Sequence, residues 1–122
     1  MDQEKVQHCL EEADNWLVRI RDLRQETSTL RDMLSETVRQ GQKFGSLDQA
    51  EYFQQRFMEK DQVLDLFRQD ISILKQSLLA ADDPDAAIAR FFALKGDLGK
   101  LTGEMQRLRD AFYDFLSADK GY

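Results

Sequence analysis

Proline, cysteine and histidine are almost missing from this sequence of 122 residues, which has one of each: Pro84, Cys9 and His8. A single proline leaves long stretches free to be helical, because proline removes an amide donor and breaks helices. One cysteine rules out an internal disulfide and says little about compartment. One histidine leaves few ways to assemble an imidazole metal site. No apolar run approaches the roughly 20 residues that a membrane span needs. The first residues, MDQEKVQHCLEEADNW, are acidic from the start and lack the apolar stretch of a signal peptide. Basic excess is missing too. The chain has 23 acidic and 17 basic residues, a net charge of −6. The acidic excess sits mostly in residues 44–83, where 8 acidic residues face 4 basic ones. These absences argue against a phosphate-tracking nucleic-acid surface and against a polybasic membrane patch. They leave a cytoplasmic protein without membrane insertion as the expectation.

What the chain does have is apolar content and charge together: 42% hydrophobic and 33% charged residues. That combination suits long helices with one buried and several solvated faces, and the length suits one domain over residues 1–122. Two places break the pattern. One is GQKFGS, residues 41–46, with Gly41 and Gly45; the other is DDPD, residues 82–85. They divide the chain into helices expected at about 3–40, 47–81 and 84–117, each ~50–57 Å long at ~1.5 Å per residue. The ends carry capping chemistry. Asp2 suits the first N-cap and Gly41 the first C-terminus. Ser46 and Gln49 read as a capping box. Asp83 and Pro84 read as N-cap and first helical residue of the third helix.

Periodicity supplies the fold. Apolar residues recur at alternating spacings of three and four along every segment. The first stripe runs Val6, Cys9, Ala13, Trp16, Ile20, Leu23, Thr27, Leu30, Leu34, Thr37. The second runs Ala50, Phe53, Phe57, Lys60, Leu64, Phe67, Ile71, Leu74, Leu78, Ala81. The third runs Ala87, Phe91, Leu94, Leu98, Leu101, Met105, Leu108, Phe112, Phe115. Only Thr27, Thr37 and Lys60 are not apolar. Heptad stripes of this length mean helices packed lengthwise at shallow angles. Short connections make successive helices antiparallel. The expectation is an all-α, up-down-up antiparallel three-helix bundle, coiled-coil-like. Level residues of the first two helices should have numbers adding to about 88, and those of the last two to about 166. Trp16 is then level with Ile71 and Leu94, Ala13 with Leu74 and Phe91, and Thr27 with Lys60 and Met105. With Asn15-Trp16-Leu17 on the first helix, the arrangement resembles spectrin-type three-helix repeats in outline. The likeness covers architecture.

The stripes leave little room for catalytic chemistry. No Asp, Glu or His occupies a core position, so a carboxylate-bridged di-metal centre has no ligands there. His8 lies beside the stripe, with Glu4 and Glu12 one turn to either side, and reads as exposed. Cys9 lies on the stripe and reads as a buried thiol, because neighbours on a helix do not face each other as a Cys-His dyad requires. No catalytic residue, cofactor or metal is expected. Lys60 reads as a side chain whose stem packs in the layer while its ammonium reaches Glu26, Glu104 or Asp61. A sharper reading makes Thr27 and Lys60 a polar layer that sets the register.

Two outer faces carry unusual residues. Gly96, Gly99 and Gly103 sit on the outward side of the third helix, each costing up to ~1 kcal/mol relative to alanine. Ala89, Ala93, Phe92 and Tyr113 extend that face. On the second helix Tyr52, Leu66 and Ile73 lie far from the seam, whereas Val63 flanks it and suits a widened core. Apolar residues outside the seam suit a contact with another chain. The function expected is a non-catalytic interaction or structural module that binds a protein partner or itself, most simply as a homodimer. The alternative is a small-ligand-binding or enzymatic bundle with a pocket between helices, which would need an underpacked core around Trp16, Thr27 and Thr37.

Overall fold

The computed structural model describes residues 2–40, 47–80 and 83–119. Three helices occupy nearly all of them: α1 (Asp2–Arg39), α2 (Leu47–Ala80) and α3 (Pro84–Asp119). They pack on one another as an all-α three-helix bundle. The helix ends fall within two residues of those expected. α1 already includes Asp2, so that residue is helical rather than the cap expected ahead of the helix. At the start of α3 the expected cap is in place. The Asp83 carboxylate accepts the Ala86 amide at 3.1 Å, and its carbonyl accepts the Ala87 amide at 3.2 Å. Both bonds satisfy helix-end donors that would otherwise lack partners, and Pro84 has no amide to satisfy. Gly41, Gly45, Ser46 and Ala81 lie outside the described residues, and with them the capping box of α2.

Cross-helix pairs fix direction and register. Asp14 pairs with Lys75 and Arg24 with Asp65, each pair adding to 89. Lys60 pairs with Glu104, adding to 164. These values sit beside the 88 and 166 expected of antiparallel neighbours. α1 and α3 then run parallel, which Lys95 with Glu12 and Arg109 with Glu26 both show. Such exposed pairs contribute only ~0.2–1 kcal/mol each; they report the register more than they hold it.

The stripe makes the interior. Among the described residues, every buried one lies on it, and none of its members is exposed. Burying a large aliphatic or aromatic side chain contributes about 1.5–3 kcal/mol, so this set outweighs the surface pairs many times over. Trp16 departs from its expected level. Its indole stacks on Phe91, ring centroids 4.8 Å apart, one layer toward the start of the parallel helices. Helical side chains lean toward their own N-terminus, which carries the indole into the layer of Ala13. Ala13 is small and fully buried, and leaves the space that the indole and Phe91 fill.

The core is divided along its length. One cluster holds Cys9, Ala13, Trp16, Ile20, Leu64, Ile71, Leu74, Phe91 and the residues of α3 as far as Met105. A second holds Leu30, Leu34, Ala50, Phe53, Phe57 and Phe112. The break between them falls at Thr27 and Lys60, two of the polar exceptions on the stripe.

Candidate interaction surfaces

The inner polar residues are satisfied in different ways. Thr27 is buried, and its hydroxyl donates to the Leu23 carbonyl one turn back at 2.8 Å. Thr37 does the same to Met33 at 2.7 Å. Lys60 is one-fifth exposed, and its ammonium donates to Glu104 at 3.1 Å. Of the three carboxylates within its expected reach, Glu26 takes Arg109 and Asp61 takes Arg31 instead. Thr27 and Lys60 do share a level, but Thr27 bonds along its own helix. The geometry is that of a packed stem with its charge at the edge.

His8 and Cys9 separate as their positions imply. The His8 side chain is 67% exposed, with Nε2 3.2 Å from Glu12 Oε2, and Lys95 Nζ lies 3.8 Å from the same oxygen. Cys9 is buried. Burial, assisted by the nearby Glu12 charge, pushes its thiol above the ordinary range and keeps it protonated. Among the described residues no three His, Cys, Asp or Glu side chains are placed to hold a metal ion, and no helix is long and apolar enough to cross a membrane.

The outer face of α3 is open. Phe92 is 59% exposed, and Tyr113 is exposed further along. A Cβ added at Gly96 or Gly99 would meet nothing within 4 Å, while at Gly103 it would touch the Arg107 guanidinium at 3.4 Å. Nothing inside the bundle requires glycine at 96 or 99. On α2, Leu66 is 58% exposed and Ile73 48%. Tyr52 is exposed as well, with Arg56 over its ring. Val63 is half-buried against the larger cluster, as expected of a flanking position. The two sets lie on separate helices.

A third feature lies beside the stripe, between α1 and α2. Leu17, Ile20, Arg21, Arg24, Gln25 and Ser28 of α1 face Arg68 and Ser72 of α2 across a groove of about 600 Å³. Its signal was available: Arg21 and Arg68 have numbers adding to 89, Arg24 and Arg68 to 92, so the register alone sets them opposite. The stripe drew attention to core positions, and these arginines flank it. Val18, Met58 and Leu79 are further exposed apolar residues outside the faces expected.

The chain matches no family model, no curated protein and no solved structure. Function has to be read from these surfaces.

Proposed function

We propose that this chain is a non-catalytic helical interaction module that works through protein–protein contacts, with a second copy of itself as the simplest partner. The observation that carries the reading is the exposure of Leu66, Ile73 and Phe92 on outer faces while every buried residue among those described lies on the stripe. An exposed leucine by itself is ordinary; large apolar side chains recurring at seven-residue spacing on one helix face are what a neighbouring helix covers. The glycines of α3 support the same reading, since they let another backbone approach closely at positions where the fold itself has no use for them. A two-fold pair is the commonest closed assembly and needs one self-complementary face. The cytoplasmic setting expected from the sequence belongs to this proposal.

Light scattering over a range of concentrations tests it. The monomer mass is 14.2 kDa. The expected result is a mass that rises toward twice that value. Leu66→Glu with Ile73→Glu, or Gly96→Leu with Gly99→Leu, should return it to monomer with helical content unchanged by circular dichroism. A wild-type protein that stays monomeric at the highest concentration would overturn self-association.

A further inference from the structure

We infer that the groove between α1 and α2 binds an acidic amphipathic helix of a protein partner through Arg21, Arg24 and Arg68. This goes beyond the outer-face reading and does not rest on it, because the groove lies on the α1–α2 side and a monomer presents it equally well.

The argument begins with charge. The chain is acidic overall, and α2 lies in its most acidic stretch, yet three guanidinium groups converge here. They have little to share. Asp65 Oδ1 accepts Arg68 twice, from Nε at 3.2 Å and Nη2 at 3.1 Å, and Arg24 only at 3.5 Å. Its other oxygen is taken by Gln69 at 3.0 Å. The nearest carboxylate to Arg21 is that of its chain neighbour Asp22, 4.0 Å away. One carboxylate therefore serves two arginines across the groove, and the third has only a distant partner. Hydrogen bonds and charge from Arg68, with smaller help from Gln69 and Arg24, hold the Asp65 carboxyl below its usual range.

The groove's lining says which anion fits. Half-buried Leu17 and the almost wholly buried Ile20 supply its apolar lining, and Ser28 and Ser72 add hydroxyls. A bare phosphate has no use for that apolar part. A helix carrying carboxylates to either side of a leucine uses both parts, and the planar arginine fork suits a carboxylate on each side. Asp65 is then a built-in competitor that the partner's carboxylates displace from Arg24.

Fluorescence anisotropy with a labelled synthetic helical peptide of alternating Glu and Leu turns tests this on the full chain. Wild type is expected to bind it, more weakly as salt rises. Arg21→Gln with Arg24→Gln should weaken binding by at least about tenfold, the order expected for losing charge-assisted hydrogen bonds. Asp65→Asn should tighten it, an effect that a purely structural role for Asp65 does not produce. Lys100→Gln with Arg107→Gln, on exposed positions of α3, removes the same charge and should leave binding within about twofold, since exposed distant charges are screened. Circular dichroism checks that each variant folds. Equal losses from the α1 and α3 pairs would overturn the site, leaving only general attraction. An oligonucleotide of matched charge that competes equally well would overturn the peptide as its ligand.

Discussion

The cluster around Trp16 and the cluster around Phe112 are stacked along the same three helices, yet they are filled differently. The first is largely aliphatic, drawn from all three helices, with small residues such as Ala13 and Ala87 set beside Trp16 and Phe91. The second is smaller and dominated by phenylalanines. Phe57 meets Phe112 edge-on at 5.2 Å, and Phe53 meets it at 5.4 Å. An aliphatic cluster spreads its burial over many side chains. An aromatic one concentrates it in a few, with a geometric preference beyond area. The same heptad rule built both, so the rule alone does not decide how energy is distributed along the bundle.

Truncation should expose that difference most clearly. Phe112 is fully buried and central to the smaller cluster. Phe112→Ala should cost about 3–5 kcal/mol, and Leu74→Ala in the larger cluster about 2–5 kcal/mol. The informative measurement is native-state hydrogen exchange. If the polar layer separates two units, Phe112→Ala speeds exchange near Leu30, Phe53 and Phe112 and leaves amides around Trp16 protected. Equal acceleration at both ends would make the bundle a single cooperative unit whose halves differ in composition alone.

The glycines act on the other half. Gly96 and Gly99 lie on the stretch of α3 that supplies Leu94, Leu98 and Leu101 to the larger cluster. A methyl at either position meets nothing. Gly96→Ala and Gly99→Ala should each stabilise by about 1 kcal/mol from helix propensity, read from denaturant midpoints. Protection should rise around Trp16 more than around Phe112. Alanine is small enough to leave the face open, so association should change far less than with leucine at the same sites.

Much of this architecture is legible in the sequence, and for a definite reason. A side chain on the stripe has one place to go, so burial followed from spacing, and two short connections set direction and register. Trp16 shows where that ends. Its layer was assigned from its Cα, whereas its indole reaches toward the helix start and stacks on Phe91. The outer faces were legible only as exceptions: Leu66, Ile73 and Phe92 are exposed as their positions imply. The arginine groove is legible only when flanking residues of two helices are read together at their register, which a reading of the stripe alone passes over. Arg24 and Arg68 look like ordinary solvated charges until the fold sets them against one carboxylate.

The smallest effects belong to the layer that divides the two clusters, and they sharpen the comparison most finely. Lys60 contributes a packed stem and one ion pair with the half-exposed Glu104. Losing such a pair costs only ~0.2–1 kcal/mol. Burying a leucine there contributes more, so Lys60→Leu should stabilise by about 1 kcal/mol net. It should also join the clusters, so that the exchange pattern of Phe112→Ala spreads toward Trp16 in the double variant. Thr27→Val removes a hydroxyl that donates to a carbonyl of its own helix, and should shift stability by less than ~1 kcal/mol. If the pair instead sets the register, Lys60→Leu would change the oligomeric mass or the Trp16 fluorescence, since slipping one helix by a heptad moves the indole off Phe91. An unchanged mass and spectrum with higher stability would place the register in the connections and the apolar layers, and leave Lys60 as the seam between an aliphatic half and an aromatic one.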